Sequence, residues 1–113
     1  MRESSIERGL RERLKRLGCL FYKFVSPGNN GVPDRIVVTP KGAVIFVELK
    51  KDEGELRPEQ RLQRRRLLEH GARVVVIYGK PEADDFVRQI RKEVELDEVR
   101  PEGIPGQSDQ PDP

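Results

Sequence analysis

Two short runs rich in β-branched and aromatic residues, Ile36-Val37-Val38-Thr39 and Ala43-Val44-Ile45-Phe46-Val47, stand on either side of Pro40-Lys41-Gly42. Such runs suit the pleated, half-buried surface of a sheet, and the Pro and Gly between them set a reversal, so the pair reads as an antiparallel hairpin. A hairpin with one buried face has one register, and that register decides which side chains meet. With Thr39 paired across the turn to Ala43, counting back along both arms sets Asp34 opposite Glu48. Strand side chains alternate faces, so Glu48 and Lys50 point the same way, while Leu49 points into the other layer and leaves its carbonyl near the acids. A slip of one residue would undo all of this.

Carboxylates at facing positions repel unless a positive group lies between them. A hard cation such as Mg2+ takes one or two carboxylates and keeps its other positions for water and phosphate oxygens. A cation held in this way neutralises charge developing on a phosphodiester, and a neighbouring ammonium such as Lys50 can orient the nucleophile.

The Pro33-Asp34 pair followed by Glu48-x-Lys50 resembles the PD-(D/E)xK nuclease signature. The wider pattern is more specific. Gly31-Val32-Pro33-Asp34-Arg35, Phe46-Val47-Glu48-Leu49-Lys50, the downstream Pro58-Glu59-Gln60 and an early Glu7 are similar to the stand-alone VRR-NUC branch of that superfamily, over roughly residues 3–80. The resemblance implies a restriction-endonuclease-like core. It further implies Mg2+ or Mn2+ held by Asp34, Glu48 and the Leu49 carbonyl, with Lys50 assisting the attacking water, Glu7 as a ligand or water-mediated partner of the metal, and Gln60 orienting water or the lysine. Its implied substrate is branched DNA such as four-way junctions, cut by a homodimer.

The chain has 113 residues, enough for one small domain, and its formal net charge is only +2, so total charge does not mark a nucleic-acid binder. Distribution is more telling. Arg and Lys crowd 8–16 and 61–66, whereas acids gather from Glu93 onward, so the folded part is more basic than the total and a phosphate-binding face is one reading. Solvated helix faces are the other. Cys19 is the single cysteine, which excludes an intrachain disulfide and a cysteine zinc cluster and fits a reducing, cytoplasmic location. No apolar run approaches a membrane span or a signal-peptide core. The sole histidine, His70, precedes Gly71 and reads as a helix-terminus residue.

From Ser4 to Leu17, Ile6, Leu10, Leu14 and Leu17 form one stripe of a helix that Gly18 ends. Ser4-x-x-Glu7 fits a capping box, yet Glu7 also lies at the edge of the buried stripe, so cap and cleft both stay open. Leu20–Val25 reads as a strand flanking the hairpin. The following Ser26-Pro27-Gly28-Asn29-Asn30-Gly31 either brings backbone and Asn29 and Asn30 to a DNA strand or only reverses the chain. Arg35 and Lys23 beside the cleft either meet phosphate oxygens, Arg35 before Lys23, or form surface ion pairs.

Pro58 opens a helix running to about His70, with Leu62, Leu67 and Leu68 as its apolar positions, and Gln60 in its first turn is either a site residue or an ordinary exposed one. Arg73–Tyr78 is nearly all apolar, as in a strand covered on both faces, and following strand and helix it completes a crossover that lays it parallel to the Glu48 strand. Ala83, Phe86, Val87, Ile90 and Val94 make a closing helix. From Leu96 the pattern stops, and residues 100–113 hold four prolines and two glycines. The expected organisation is therefore a domain over residues 1–95 and a disordered tail over 96–113.

The fold class that follows is α/β, a small mixed sheet flanked by helices. The function that follows is metal-dependent, structure-specific hydrolysis of DNA. The alternative is a nucleic-acid-binding or regulatory module on the same fold whose acids serve only in salt bridges with the arginines.

Overall fold

The computed structural model describes residues 4–51 and 54–98. Helix α1 (Ser5–Arg16) leads into strand β1 (Leu20–Lys23). Strands β2 (Arg35–Val38) and β3 (Val44–Lys50) follow, then helix α2 (Pro58–Glu69), strand β4 (Arg73–Tyr78) and helix α3 (Gly79–Glu98). The strands make one sheet in the order β1-β2-β3-β4, antiparallel from β1 to β3 and parallel between β3 and β4. This is the α/β mixed sheet expected from the hairpin and the crossover.

Local chemistry accounts for the element ends. Ser4 caps α1, its Oγ accepting the Glu7 N–H at 3.0 Å. Past the other end, Gly18 takes φ +86°, a left-handed conformation that costs a side-chain-bearing residue about 1–2 kcal/mol. In the hairpin the Thr39 N–H bonds the Ala43 carbonyl at 2.9 Å and the Thr39 Oγ1 accepts the Ala43 N–H at 3.1 Å. The register that Thr39–Ala43 pairing predicts is present from Val38↔Val44 to Arg35↔Val47.

The sheet has one face for stability and another for chemistry. Val37 from β2, Ile45 and Val47 from β3 and Ile77 from β4 meet Leu10 and Leu14 of α1 and Ala83, Phe86, Val87 and Ile90 of α3, all buried. Alternation turns the intervening residues, Phe46, Glu48 and Lys50 on β3 and Val74 and Val76 on β4, to the opposite face. There α2 packs chiefly against β4. Over β1 to β3 that face stays open, with Leu20, Tyr22 and Val44 all exposed.

Some boundaries differ from the sequence reading. Strand β1 stops at Lys23, and Val25 lies beyond it, exposed. Leu68, expected on the apolar side of α2, is exposed as well, because Leu62 and Leu67 take the inward positions. His70 caps the C-terminus of α2, its Nδ1 lying 2.6 Å from the Arg66 carbonyl, in keeping with a terminus residue. Helix α3 continues through Glu98, past the expected boundary at Leu96, and the remainder of the tail, 99–113, lies outside the described residues. Among the described residues no helix is long and apolar enough to cross a membrane.

Ile45 and Val44 are adjacent on β3, the first fully buried and the second exposed on the open face. Urea unfolding should register a loss of about 2–5 kcal/mol for Ile45→Ala and under about 1 kcal/mol for Val44→Ala. Equal losses would show that the core does not lie on the α1/α3 side.

Candidate active site

One step beyond the last ladder pair, Arg35↔Val47, the same register sets Asp34 against Glu48 at the end of the hairpin. Glu48 is buried at 8% exposure, although it is a carboxylate on the side of the sheet away from the main core. Phe46, on its face two residues earlier, packs edge-to-face on Phe24 with ring centroids 5.6 Å apart and supplies an apolar wall. Burial first, then the charge of Asp34, pushes the Glu48 carboxyl up from 4.5 to about 7, against the pull of Lys50, Arg57 and Arg35. Asp34 is raised too, mainly by burial, with Arg35 opposing. Its side chain is half exposed, but its Oδ1 is sealed from solvent and has no hydrogen-bond partner among the described residues. A buried carboxylate oxygen with nothing to accept from is costly, and here it lies near a second, buried acid whose charge adds to the cost.

Lys50 is half-buried and near enough to Glu48 to lower its pKa, as its position two residues along the same face requires. Gln60 is buried at 7% exposure, which excludes the exposed alternative. Its Oε1 accepts the Arg57 N–H at 2.9 Å, closing the first turn of α2, and its Nε2 points at Glu48 Oε2 at 3.4 Å. The helix is held there by Gly31. With φ at +93°, that residue lies so close to α2 that a Cβ would fall 2.4 Å from the Glu59 carbonyl oxygen and 2.9 Å from the Gln60 nitrogen. Only glycine lets the loop before Asp34 and the first turn of α2 touch.

Glu7 takes part in the expected cap by its backbone alone, which leaves its side chain free to reach elsewhere. Its carboxylate is clasped by the Arg35 guanidinium, with Nε at 2.6 Å and Nη2 also bonded. The same guanidinium donates from Nη1 to the Asp34 carbonyl at 2.8 Å and lies 3.7 Å from Asp34 Oδ2. Arg35 therefore bridges α1 to the site acid, which its expected role as a phosphate contact did not include. No group of three or more His, Cys, Asp or Glu side chains among the described residues is arranged to hold a metal ion. Glu7 is tied to Asp34 through the Arg35 guanidinium that both share.

Two carboxylates, with the Leu49 carbonyl next along the chain from Glu48, are oxygen groups of the chemistry that suits a hard divalent cation. The orphaned Asp34 Oδ1 and the upward-shifted Glu48 are what such a cation would satisfy.

The remaining expected contacts lie around this centre. Lys23 is exposed on the β1 edge and close enough to lower the pKa of Asp34. Asn29 and Asn30 are exposed, and Asn29 holds its own turn, its Nδ2 donating to Ser26 Oγ at 2.9 Å. Sequence reasoning missed the Arg35 bridge and the Gly31 contact. A glycine before Pro-Asp hints at close approach, but nothing local reveals that its neighbour lies at residues 59 and 60.

A family model described as "VRR-NUC domain" matches residues 3–81. "Putative nuclease p44" of Acyrthosiphon pisum secondary endosymbiont phage 1 is 44% identical over 77 residues, covering 68% of this chain and 83% of that protein. A solved structure titled "VRR_NUC domain" superposes with a TM-score of 0.69 at 30% identity, covering 74% of this chain and 90% of its own. Another, titled "VRR_NUC domain protein", gives 0.55 at 15% identity, covering 81% and 92%, a likeness of fold.

The fold favours protonated Glu48. Its contribution to stability is therefore complete below 4.5 and is lost as pH rises through about 7. One pKa unit is worth about 1.4 kcal/mol, and partial solvent access reduces the whole effect to about 2 kcal/mol. Urea unfolding with a chelator should show Glu48→Gln gaining on the native chain by about that amount between pH 5 and pH 8. A constant difference would mean that Glu48 is not desolvated. Gly31→Ala should lower stability by more than about 1 kcal/mol through positive φ alone, read as a fall in Tm.

Proposed function

The chain belongs to the VRR-NUC domain family, a family of nucleases, and from that premise we propose that it is a metal-dependent, structure-specific endonuclease hydrolysing phosphodiester bonds in branched DNA such as four-way junctions. The observation that carries the reading is the pairing of buried Glu48 with the orphaned Asp34 Oδ1, beside Lys50 and Gln60. A purely structural pair of acids would be neutralised by cations of the protein. Glu7 is neutralised in that way by Arg35, whereas Glu48 has no ion pair among the described residues.

Asp34, Glu48 and the Leu49 carbonyl would hold Mg2+ or Mn2+, which when bound supplies a Lewis acid for the phosphoryl oxygens and lowers the pKa of water. The chain's own groups do the rest. Lys50 places an ammonium on the Glu48 face, where it orients the attacking water and offsets charge gathering on the phosphate. Gln60, fixed by its bond to the Arg57 N–H, keeps its amide directed at Glu48 and limits the rotamers that carboxylate can adopt. Arg35 and Glu7 set Asp34 from behind, Glu7 acting through Arg35. Lys23, Asn29 and Asn30 lie where the flanking backbone of a bound strand would pass.

Paired nicks in opposed strands need two such sites in fixed relation, which a two-fold homodimer provides without added chain. The unpaired edge of β1 with exposed Leu20 and Tyr22, and the outer side of α1, are surfaces such a dimer would use.

Four-way junction and linear duplex incubated with Mg2+ should be cut by the native chain, the junction faster. Asp34→Ala and Lys50→Ala should lose at least about 100-fold in rate while retaining DNA binding. Binding without cleavage by the native chain in both Mg2+ and Mn2+ would instead identify a recognition module.

A further inference from the structure

Helix α2 carries Gln60 into the active site, and its next turns carry arginine. Arg61, Arg64 and Arg65 are all exposed, and with Leu68 and Glu69 they line one groove on the surface. Their spacing, i, i+3, i+4, i+7 and i+8, is that of one helix face, and Arg64 lies one turn beyond Gln60 on the same ridge. Helical side chains lean towards the N-terminus of their helix, so Arg64 reaches back over the turn that holds Gln60 against Glu48.

These arginines are not spent on folding. Arg61 donates to the Leu56 carbonyl at 2.7 Å, whereas Arg64 and Arg65 have no ion-pair or hydrogen-bond partner among the described residues. By contrast, Arg13, Arg35, Arg73 and Arg88 each hold an acid. Exposed guanidiniums left unpaired on the helix that forms the wall of an acidic site balance the charge of that site from outside. They attract the polyanion whose reacting phosphate the two carboxylates would otherwise repel.

We propose that the Arg61–Arg64–Arg65 face of α2 is a binding track for the sugar-phosphate backbone, gripping the phosphates next to the one at Asp34 and Glu48. This goes beyond the contacts at Lys23, Arg35, Asn29 and Asn30 and rests on the nucleic-acid reading of the site. From Arg61 to Arg65 the helix rises about 6 Å. At about 3.4 Å per nucleotide measured along a duplex axis, the track spans about two phosphates. The contacts are to backbone and carry no base preference, so they serve any strand that enters the site. Glu69, the acid among the groove's lining residues, stands at its far end.

The test is fluorescence anisotropy of full-length protein on a four-way junction and a duplex, in a chelator, over a series of salt concentrations. Native chain, Arg64→Gln/Arg65→Gln and a control, Arg91→Gln/Lys92→Gln, are compared. The control removes the same charge from exposed positions of α3, on the other side of the sheet. The slope of log affinity against log salt should fall by about 1–2 in the α2 variant, with binding about tenfold weaker at low salt, and by less than about 0.5 in the control. With Mg2+ present, KM should rise while kcat stays within about threefold, because these residues bind without touching the reacting atoms. An unchanged slope overturns the proposal, and so does an equal fall in the control. A native chain that binds DNA and never cuts it would sink the nuclease reading alone, since the α2 variant's loss of slope would still mark the track.

Discussion

The structure depends on an unfavourable pairing, the meeting of Asp34 and Glu48 at the end of a hairpin, where Glu48 and one oxygen of Asp34 are shut off from water. Two carboxylates placed there cost free energy on two counts, desolvation and mutual repulsion. The rest of the fold tolerates that cost because stability is generated elsewhere. Seven large side chains are fully buried between the sheet and helices α1 and α3. At about 1.5–3 kcal/mol each, as an upper bound, their burial exceeds a penalty of a few kcal/mol at Glu48.

The alternation of side chains along β3 separates the two tasks. Ile45 and Val47 face the main core, while Phe46, Glu48 and Lys50 face the layer where α2 covers only part of the sheet. A site on the partly covered face can be dry enough to raise a carboxyl and still have room beside it for a substrate strand. Gly31 and Gln60 define how dry it is, since the loop before Asp34 and the first turn of α2 approach to a distance at which no β-carbon fits. Arg35 works from the other direction, joining α1 to Asp34 through Glu7 and the Asp34 carbonyl. The site is thus held from three elements of the fold, α1, the hairpin and α2.

Much of this was readable in the residues. The hairpin register came from one turn, because Pro40-Lys41-Gly42 leaves Thr39 and Ala43 facing each other and everything back to Asp34 and Glu48 follows by counting. The crossover to a parallel β4 was equally legible, since a strand, a helix and an apolar run in succession have few alternatives. Less legible were contacts whose partners are distant in sequence. Glu7 fitted a cap and a cleft equally well, and its place on Arg35 required knowing how α1 lies across the sheet. Gln60 looked like either a site residue or a solvated one, and it became buried because Gly31 lets α2 come close.

The sequence by itself determined which elements form, the register of the hairpin and so the meeting of two acids with an ammonium on one face, because turn chemistry and strand alternation act over a few neighbouring residues. Only the tertiary structure decided that Glu48 is buried, that Asp34 keeps one oxygen without a partner among the described residues, that Glu7 belongs to Arg35, and that Arg61, Arg64 and Arg65 of α2 line one groove. These are matters of desolvation and of contacts between residues up to tens of positions apart, and both come into being only when the layers pack.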